Sequence, residues 1–254
     1  MKKILITGAC GFMGKTLRDC IKTYDDIEIA AGVDIAGNDE SLTIFRTLEN
    51  VTFPVDCLID FSNPSLLGDV LSYAAKYKVP AVIATTGLSD EDKKHILILS
   101  ETVPVFVSAN MSMGINLICE LLKQIAPVLY KSFDIEIIEK HHNRKLDAPS
   151  GTAIMLADTI RESVDEDFNY IYDRHAVRKK REKTDIGFSS IRGGTIVGEH
   201  DVLFAGDDEI ITLSHTAMSR RIFANGALEA AKFIMGKQSG IYSMKELIKE
   251  RLGK

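Results

Sequence analysis

Lys2-Lys-Ile-Leu-Ile-Thr-Gly-Ala-Cys-Gly-Phe-Met-Gly14 is the stretch on which the reading of this chain turns. Lys2 to Thr7 make a short apolar strand, and Lys15-Thr-Leu-Arg-Asp-Cys-Ile21 has the spacing of a helix. Between them stand glycines at 8, 11 and 14. A strand, a glycine-rich turn and a helix, in that order, open a dinucleotide-binding unit. The glycines allow a tight turn, close approach of a pyrophosphate to backbone N–H groups, and close packing of helix on strand. Glycine spacing alone is a weak signal, and the Gly-x-x-Gly-x-x-Gly form is a variant, so the flanking strand and helix carry the weight.

Outward from that turn, Ile27 to Asp34 reads as a second strand, with Asp34 twenty residues after Gly14. That is the place for an acidic side chain to bond the adenosine ribose hydroxyls. An ordinary aspartate before a Gly37-Asn38 turn would look the same. Strands at Cys57–Phe61, Ala81–Ala84 and Val103–Val107 alternate with helices from Leu66 to Lys76 and from Ser89 onward. Such alternation specifies a parallel sheet covered on both faces, with ligands beyond the carboxyl ends of its strands. Thr85, Thr86, Ser108 and Asn110 stand at such ends; each alone is an ordinary turn residue.

A long amphipathic helix from Gly114 to Ile125 leads out of this domain. Beyond it, Glu136-Ile-Ile-Glu-Lys-His-His-Asn-Arg-Lys-Leu-Asp-Ala-Pro-Ser-Gly-Thr-Ala153 packs His141, His142, Arg144 and Lys145 between a strand and a helix start. Ser150 or Thr152 can cap that helix, Gly151 admits a ligand close to the backbone, and the N-terminal N–H groups favour an anion. A carboxylate or phosphate held beside a proton donor fits these residues, as does a solvated basic loop before a capped helix. Zinc does not fit: adjacent histidines on an extended chain point apart, and no third ligand is near. Short strands then fall at Ile186–Ile191, Thr195–Val197, His200–Phe204 and Glu209–His215, with Gly193-Gly194 and Gly206-Asp207 as turns, which gives an open sheet. Helices from Phe223 to Met235 and Met244 to Arg251 close the chain. The expected class is α/β, a Rossmann-type dinucleotide domain (1–112 and 216–254) plus an α+β domain with an open mixed sheet (113–215).

The chain has 254 residues, 45% hydrophobic and 26% charged, with a formal net charge of −5. That balance suits a folded protein and argues against a general nucleic-acid surface; the basic run Arg178–Lys183 reads as a solvated loop or an edge facing another subunit. No apolar segment approaches membrane-spanning length, and the first strand begins too soon for a signal peptide, so a cytoplasmic setting is expected. Cys10, Cys20, Cys57 and Cys119 have no zinc or redox spacing and are expected as reduced thiols.

The motif from Glu139 to Ala153 closely resembles the signature of the 4-hydroxy-tetrahydrodipicolinate reductase family, enzymes of the diaminopimelate route to lysine. Asp60-Phe-Ser-Asn-Pro64, Ala84–Gly87, Ser108–Asn116, Arg192–His200, His215–Gly226 and Gly240-Ile-Tyr242 have counterparts in the same order. The resemblance implies a proton donor and acceptor at His141 and a proton donor at Lys145. It implies a dicarboxylate substrate held by His142, Ser150, Gly151 and Thr152. The cofactor would be lined by Gly8, Ala9, Cys10, Gly11, Phe12, Met13, Asp34, Ala84, Thr85, Thr86, Ser108, Ala109, Asn110 and Met111. A homotetramer is also implied, with subunits covering the open sheet.

Two departures stand out: Ala84 where the family commonly has glycine, and Phe12 where it commonly has arginine. With Ile35 also lacking a cation, and Asp34 repelling a 2′-phosphate, NADH is expected ahead of NADPH, with both used; Lys15 and Arg46 remain as substitute cations. A short-chain dehydrogenase shares the opening motif but needs Tyr-x-x-x-Lys, and no tyrosine here has a lysine four positions on. A catalytically silent NAD-binding sensor is the other alternative, which substrate-dependent NADH oxidation would exclude.

Overall fold

The computed structural model describes residues 1–37, 39–175 and 178–253. The Gly37-Asn38 turn therefore lies partly outside the described residues. In chain order the elements are β1 (Lys2–Thr7), α1 (Phe12–Ile21), β2 (Ile27–Val33), β3 (Ile44–Phe45), β4 (Cys57–Asp60), α2 (Leu67–Tyr77), β5 (Ala81–Ile83), α3 (Asp90–Ser100) and β6 (Pro104–Val107). Then follow α4 (Met113–Leu129), β7 (Asp134–His141), α5 (Gly151–Ser163), β8 (Asn169–Ile171), β9 (Asp185–Arg192), β10 (Gly198–Ala205), β11 (Ile210–Ala217), α6 (Arg221–Ile234), β12 (Gly240–Tyr242) and α7 (Met244–Arg251). The chain divides into two compact units, Met1–Met113 with Arg220–Lys254, and Gly114–Ser219.

The first unit is a seven-stranded sheet in the order β12-β6-β5-β4-β1-β2-β3, parallel at every pairing. Period-two alternation divides β1 between the faces: Ile4 and Ile6 pack with Leu17, Cys20, Ala227 and Leu247, while Leu5 packs with Val70, Ala74, Ile96 and Leu99 on the other side. A strand buried on both faces needs the near-continuous apolar run seen at Ile4-Leu5-Ile6. Strand order reverses around β1, which has β2 on one side and β4 on the other, and at such a switch point ligands bind in doubly wound sheets.

In the second unit the strand order is β11-β10-β7-β9-β8. Ile135, Ile137, Phe188, Val202 and Phe204 pack beneath α4 and α5 through Leu122, Ala126, Leu156 and Ile160. One expectation from sequence fails here. Thr195–Val197 is not a strand, since a turn through Gly194, with φ +48, runs directly to β10. The turn at Gly193-Gly194 joins no hairpin, because β9 pairs with β7 in parallel while β10 pairs with its other edge antiparallel. The central place goes to β7, and the connection wraps around its end, with Gly193 N–H donating to His141 O (2.9 Å) and Asn143 N–H to Gly194 O (3.2 Å). Gly206 does serve a hairpin, its N–H donating to Glu209 O at 2.8 Å.

Candidate active site

The end of β7 gathers the ionisable side chains of the second unit. Strand alternation puts Glu139 and His141 on one face and sends Lys140 to the other, where it pairs with Glu199 at 2.7 Å. Glu139 is fully buried and His141 is 8% exposed. The Glu139 Oε2 lies 2.6 Å from His141 Nδ1. Arg192 grips the same carboxylate with two N–H groups, at 2.8 and 2.7 Å, and Ser150 N–H donates to Oε1 at 3.2 Å. Burial alone would push the Glu139 carboxyl up, but hydrogen bonds from Arg192, Ser190 and His141 bring it down to about 2. It is therefore an anion at neutral pH.

Ser150 caps α5, its hydroxyl accepting from Ala153 N–H at 3.2 Å and lying 2.8 Å from His200 Nε2. It is 2% exposed, so its hydroxyl is already engaged within the fold. At Gly151 a side-chain carbon would meet nothing within 4 Å, which leaves the helix start open to a ligand. Lys145 is paired with the half-exposed Asp147 at 2.9 Å, and this pairing holds the Asp147 carboxyl below its usual range. Arg192 also donates to Asp147 O at 2.7 Å, which ties this loop to the Glu139 anion. His142 and Thr152 lie on the same loop and first helical turn, half-buried.

His200 stacks edge-on to His141 with ring centroids 5.1 Å apart. Burial first, then the neighbouring His141, lowers its pKa from 6.5 to about 4. Between these values the unfolded chain binds a proton that the folded chain does not, so stability falls as pH drops from 6.5 toward 4, by up to about 3 kcal/mol. His200→Asn keeps an acceptor for Ser150 and removes the titration. Urea midpoints measured from pH 7 to 4.5 should decline less in that variant; equal slopes would remove His200 as the source.

In the first unit, Gly8 takes φ +71, and a side-chain carbon there would lie 2.5 Å from Phe61 O. At Gly14 it would lie 2.2 Å from Gly8 O. Both glycines are thus required by the turn itself, and Gly11 at the start of α1 has no side chain to cap it. Asp34 accepts Cys10 N–H through Oδ2 and Ala36 N–H through Oδ1, each at 2.9 Å, which fixes a carboxylate beside the glycine turn. The following loop is clamped to α1 by Arg18, through Asp39 (2.8 Å) and Ser41 (2.7 Å).

Thr85, at the end of β5, points its hydroxyl to buried Asp60 (2.7 Å), which also accepts from Thr7 and Ser62, both at 2.5 Å. Ala84 is buried and Thr86 exposed. After β6, Ser108 donates to Asn110 O at 2.7 Å and Asn110 Oδ1 accepts Ser112 N–H at 2.9 Å, a tight turn that includes Ala109 and the buried Met111. Phe12 is 63% exposed, and the Arg220 guanidinium lies 4.9 Å from its ring centroid.

The family model for the dihydrodipicolinate reductase N-terminus matches residues 2–111, and that for its C-terminus matches residues 114–248. The chain belongs to the dihydrodipicolinate reductase family. Such reductases use a nicotinamide dinucleotide cofactor. The 4-hydroxy-tetrahydrodipicolinate reductase of Clostridium botulinum is 49% identical over 250 residues, covering 98% of both chains. That of Clostridium tetani is 49% identical over 245 residues, 96% of both. Among solved structures, the dipicolinate-bound dihydrodipicolinate reductase from Paenisporosarcina sp. TG-14 superposes with a TM-score of 0.80 at 25% identity, covering 96% of this chain and 97% of that one.

Against this family background, Glu139, Arg192, His200, Asp60 and Arg220 are the side chains to which sequence gave no individual role. Glu139 had a usable signal, since it stands two residues before His141 in a strand. Arg192, His200 and Arg220 stand within the shared motifs, but nothing in the sequence points to their partners, which are 53, 50 and 208 positions away.

Proposed function

We propose that this chain reduces 4-hydroxy-tetrahydrodipicolinate to tetrahydrodipicolinate, with His141 and Lys145 handling protons and His142, Gly151 and Thr152 holding the carboxylates. Ser150 contributes by shaping the turn. The observation that carries this is one cluster in which a carboxylate-bound histidine, a lysine and an open helix start share a single loop. Each part has a chemical task. The α5 N-terminus favours a substrate carboxylate, the Lys145 ammonium offsets negative charge, and a histidine can give and take protons near neutral pH. The partly exposed Asp147 pairing leaves Lys145 able to exchange partners. A dicarboxylate occupying the related Paenisporosarcina enzyme supports this substrate class.

The first unit fits a nicotinamide dinucleotide, because Gly8 and Gly14 allow the tight turn at the start of α1 and Asp34 is fixed next to it. Gly8, Ala9, Cys10, Gly11, Phe12 and Met13 would hold the diphosphate and Asp34 the ribose; the backbones of Ala84, Thr85 and Thr86 and of Ser108, Ala109, Asn110 and Met111 would line the remainder. When bound, the nicotinamide supplies the hydride.

Both cofactors are used, NADH in preference. The anionic Asp34 opposes a 2′-phosphate, and Arg18 is already engaged by Asp39. Arg220 over Phe12 returns a guanidinium to the position where the family's common arginine is lost, which keeps NADPH usable. The kcat/KM ratio at saturating substrate should favour NADH by a few-fold to about tenfold, roughly 1 kcal/mol. An NADPH advantage would show that Asp34 is neutralised, and no turnover with either cofactor would remove the function.

The assembly we favour is a homotetramer. The β10–β11 strands carry a half-exposed face and β11 an unpaired edge, features that further subunits can cover. Sedimentation should give a tetramer at micromolar concentration; a stable monomer would count against it. Among the described residues no helix is long and apolar enough to cross a membrane, and four free cysteines fit a reducing, cytoplasmic setting.

A further inference from the structure

We propose that Glu139, locked by Arg192, is the positioning residue that fixes His141 with Nδ1 protonated and Nε2 as the atom that exchanges the proton. The proposal rests on the reading of His141 as the proton-transfer group. An ionised carboxylate only accepts hydrogen bonds, so at 2.6 Å from Glu139 Oε2 the His141 Nδ1 must donate. Nε2 is then the acceptor of the neutral ring and the second donor of the imidazolium. Gly198 leaves the space beside it: a side-chain carbon there would stand 3.1 Å from Nε2.

The carboxylate cannot turn away. Arg192 holds both oxygens in a fork, and Ser150 N–H holds Oε1, so the histidine ring and the start of α5 share one anchor. Register places Ser190 and His200 on the strands flanking Glu139, and Arg192 opposite His141. A buried ion pair is a poor device for stability alone, since an apolar pair of similar volume holds a fold as well. An anion retained beneath a histidine has a different use. It sets the tautomer and steadies the charged ring, as a buried aspartate does for the histidine of serine proteases.

Glu139→Gln tests this, because its amide places an N–H group where the acceptor for Nδ1 stood. Its kcat should fall about 10²-fold, within the range known for losing a histidine's carboxylate partner, while the NADH dissociation constant stays near wild type. Introduced into His141→Ala, the same change should alter kcat by less than about twofold, since groups acting through one another are not additive. Glu139→Gln leaves the part-buried Arg192 without its counter-charge, so Glu139→Gln/Arg192→Met removes both charges; it should fold, by circular dichroism, and remain slow. The proposal is overturned if Glu139→Gln keeps kcat within about threefold of wild type, or if it costs the same factor with and without His141. Wild-type turnover in His141→Ala alone would overturn the role of His141 itself, a separate failure.

Discussion

His141→Ala and Lys145→Ala should each lower kcat by about 10²- to 10⁴-fold, the usual weight of a positioned acid or base. The two residues differ in how they are held, and the variants should differ accordingly. His141 is buried against an anion, so its removal strips one partner from Glu139 while Arg192 still compensates the charge. Among the described residues Lys145 is paired with a half-exposed aspartate, and its removal should leave thermal stability almost unchanged. Neither side chain belongs to the unit that carries the glycine turn, so NADH dissociation constants should stay near wild type. Stopped-flow single turnovers separate the proton-coupled step from product release. A variant with near wild-type single-turnover rate would lose its assigned role.

Gly14→Ala should damage the first unit as severely as any single methyl can. The added carbon would lie 2.2 Å from Gly8 O and 2.6 Å from Ala9 Cα, both backbone atoms of the turn. Nothing there can swing aside, so α1 must shift away from β1. A loss of roughly 3 kcal/mol or more is expected, at the upper end of overpacking effects, together with loss of NADH binding. Gly68→Ala is the contrast. It sits in α2 with no atom within 4 Å of the new carbon, and should be neutral or stabilising by up to about 1 kcal/mol. Urea unfolding of both variants checks the pair, and equal midpoints would mean that the turn yields.

The parallel sheet was legible because its signals are local: apolar runs such as Ile4-Leu5-Ile6 and Cys57–Asp60 end in turn residues, and the helix read from Ser89 onward starts there, with Ser89 and Asp92 forming a capping box. The second sheet was less legible because its pairing depends on competition between strands. Gly193-Gly194 looks like a hairpin turn, but β7 outcompetes β9 as the partner of β10 along seven register positions from Glu199 to Ala205. The site shows the same divide. His141, Lys145 and the Ser150-Gly151 cap fall within one stretch and announce themselves by residue type, whereas the Arg192 fork and the Arg220 contact exist only after distant strands and helices have packed.

Because α6, β12 and α7 complete the first sheet and one of its two cores, the unit that begins at Met1 cannot finish folding until residues beyond 220 have been made. The second unit needs nothing outside 114–219 for its strands. During synthesis, therefore, the segment translated later can settle first, and the nucleotide-binding half waits on the ribosome with the apolar faces of Ile4, Ile6 and Leu17 uncovered. Slow translation between about 113 and 220 would prolong that wait, so the stretch of messenger coding for the inserted unit bears on how much of the first unit escapes aggregation.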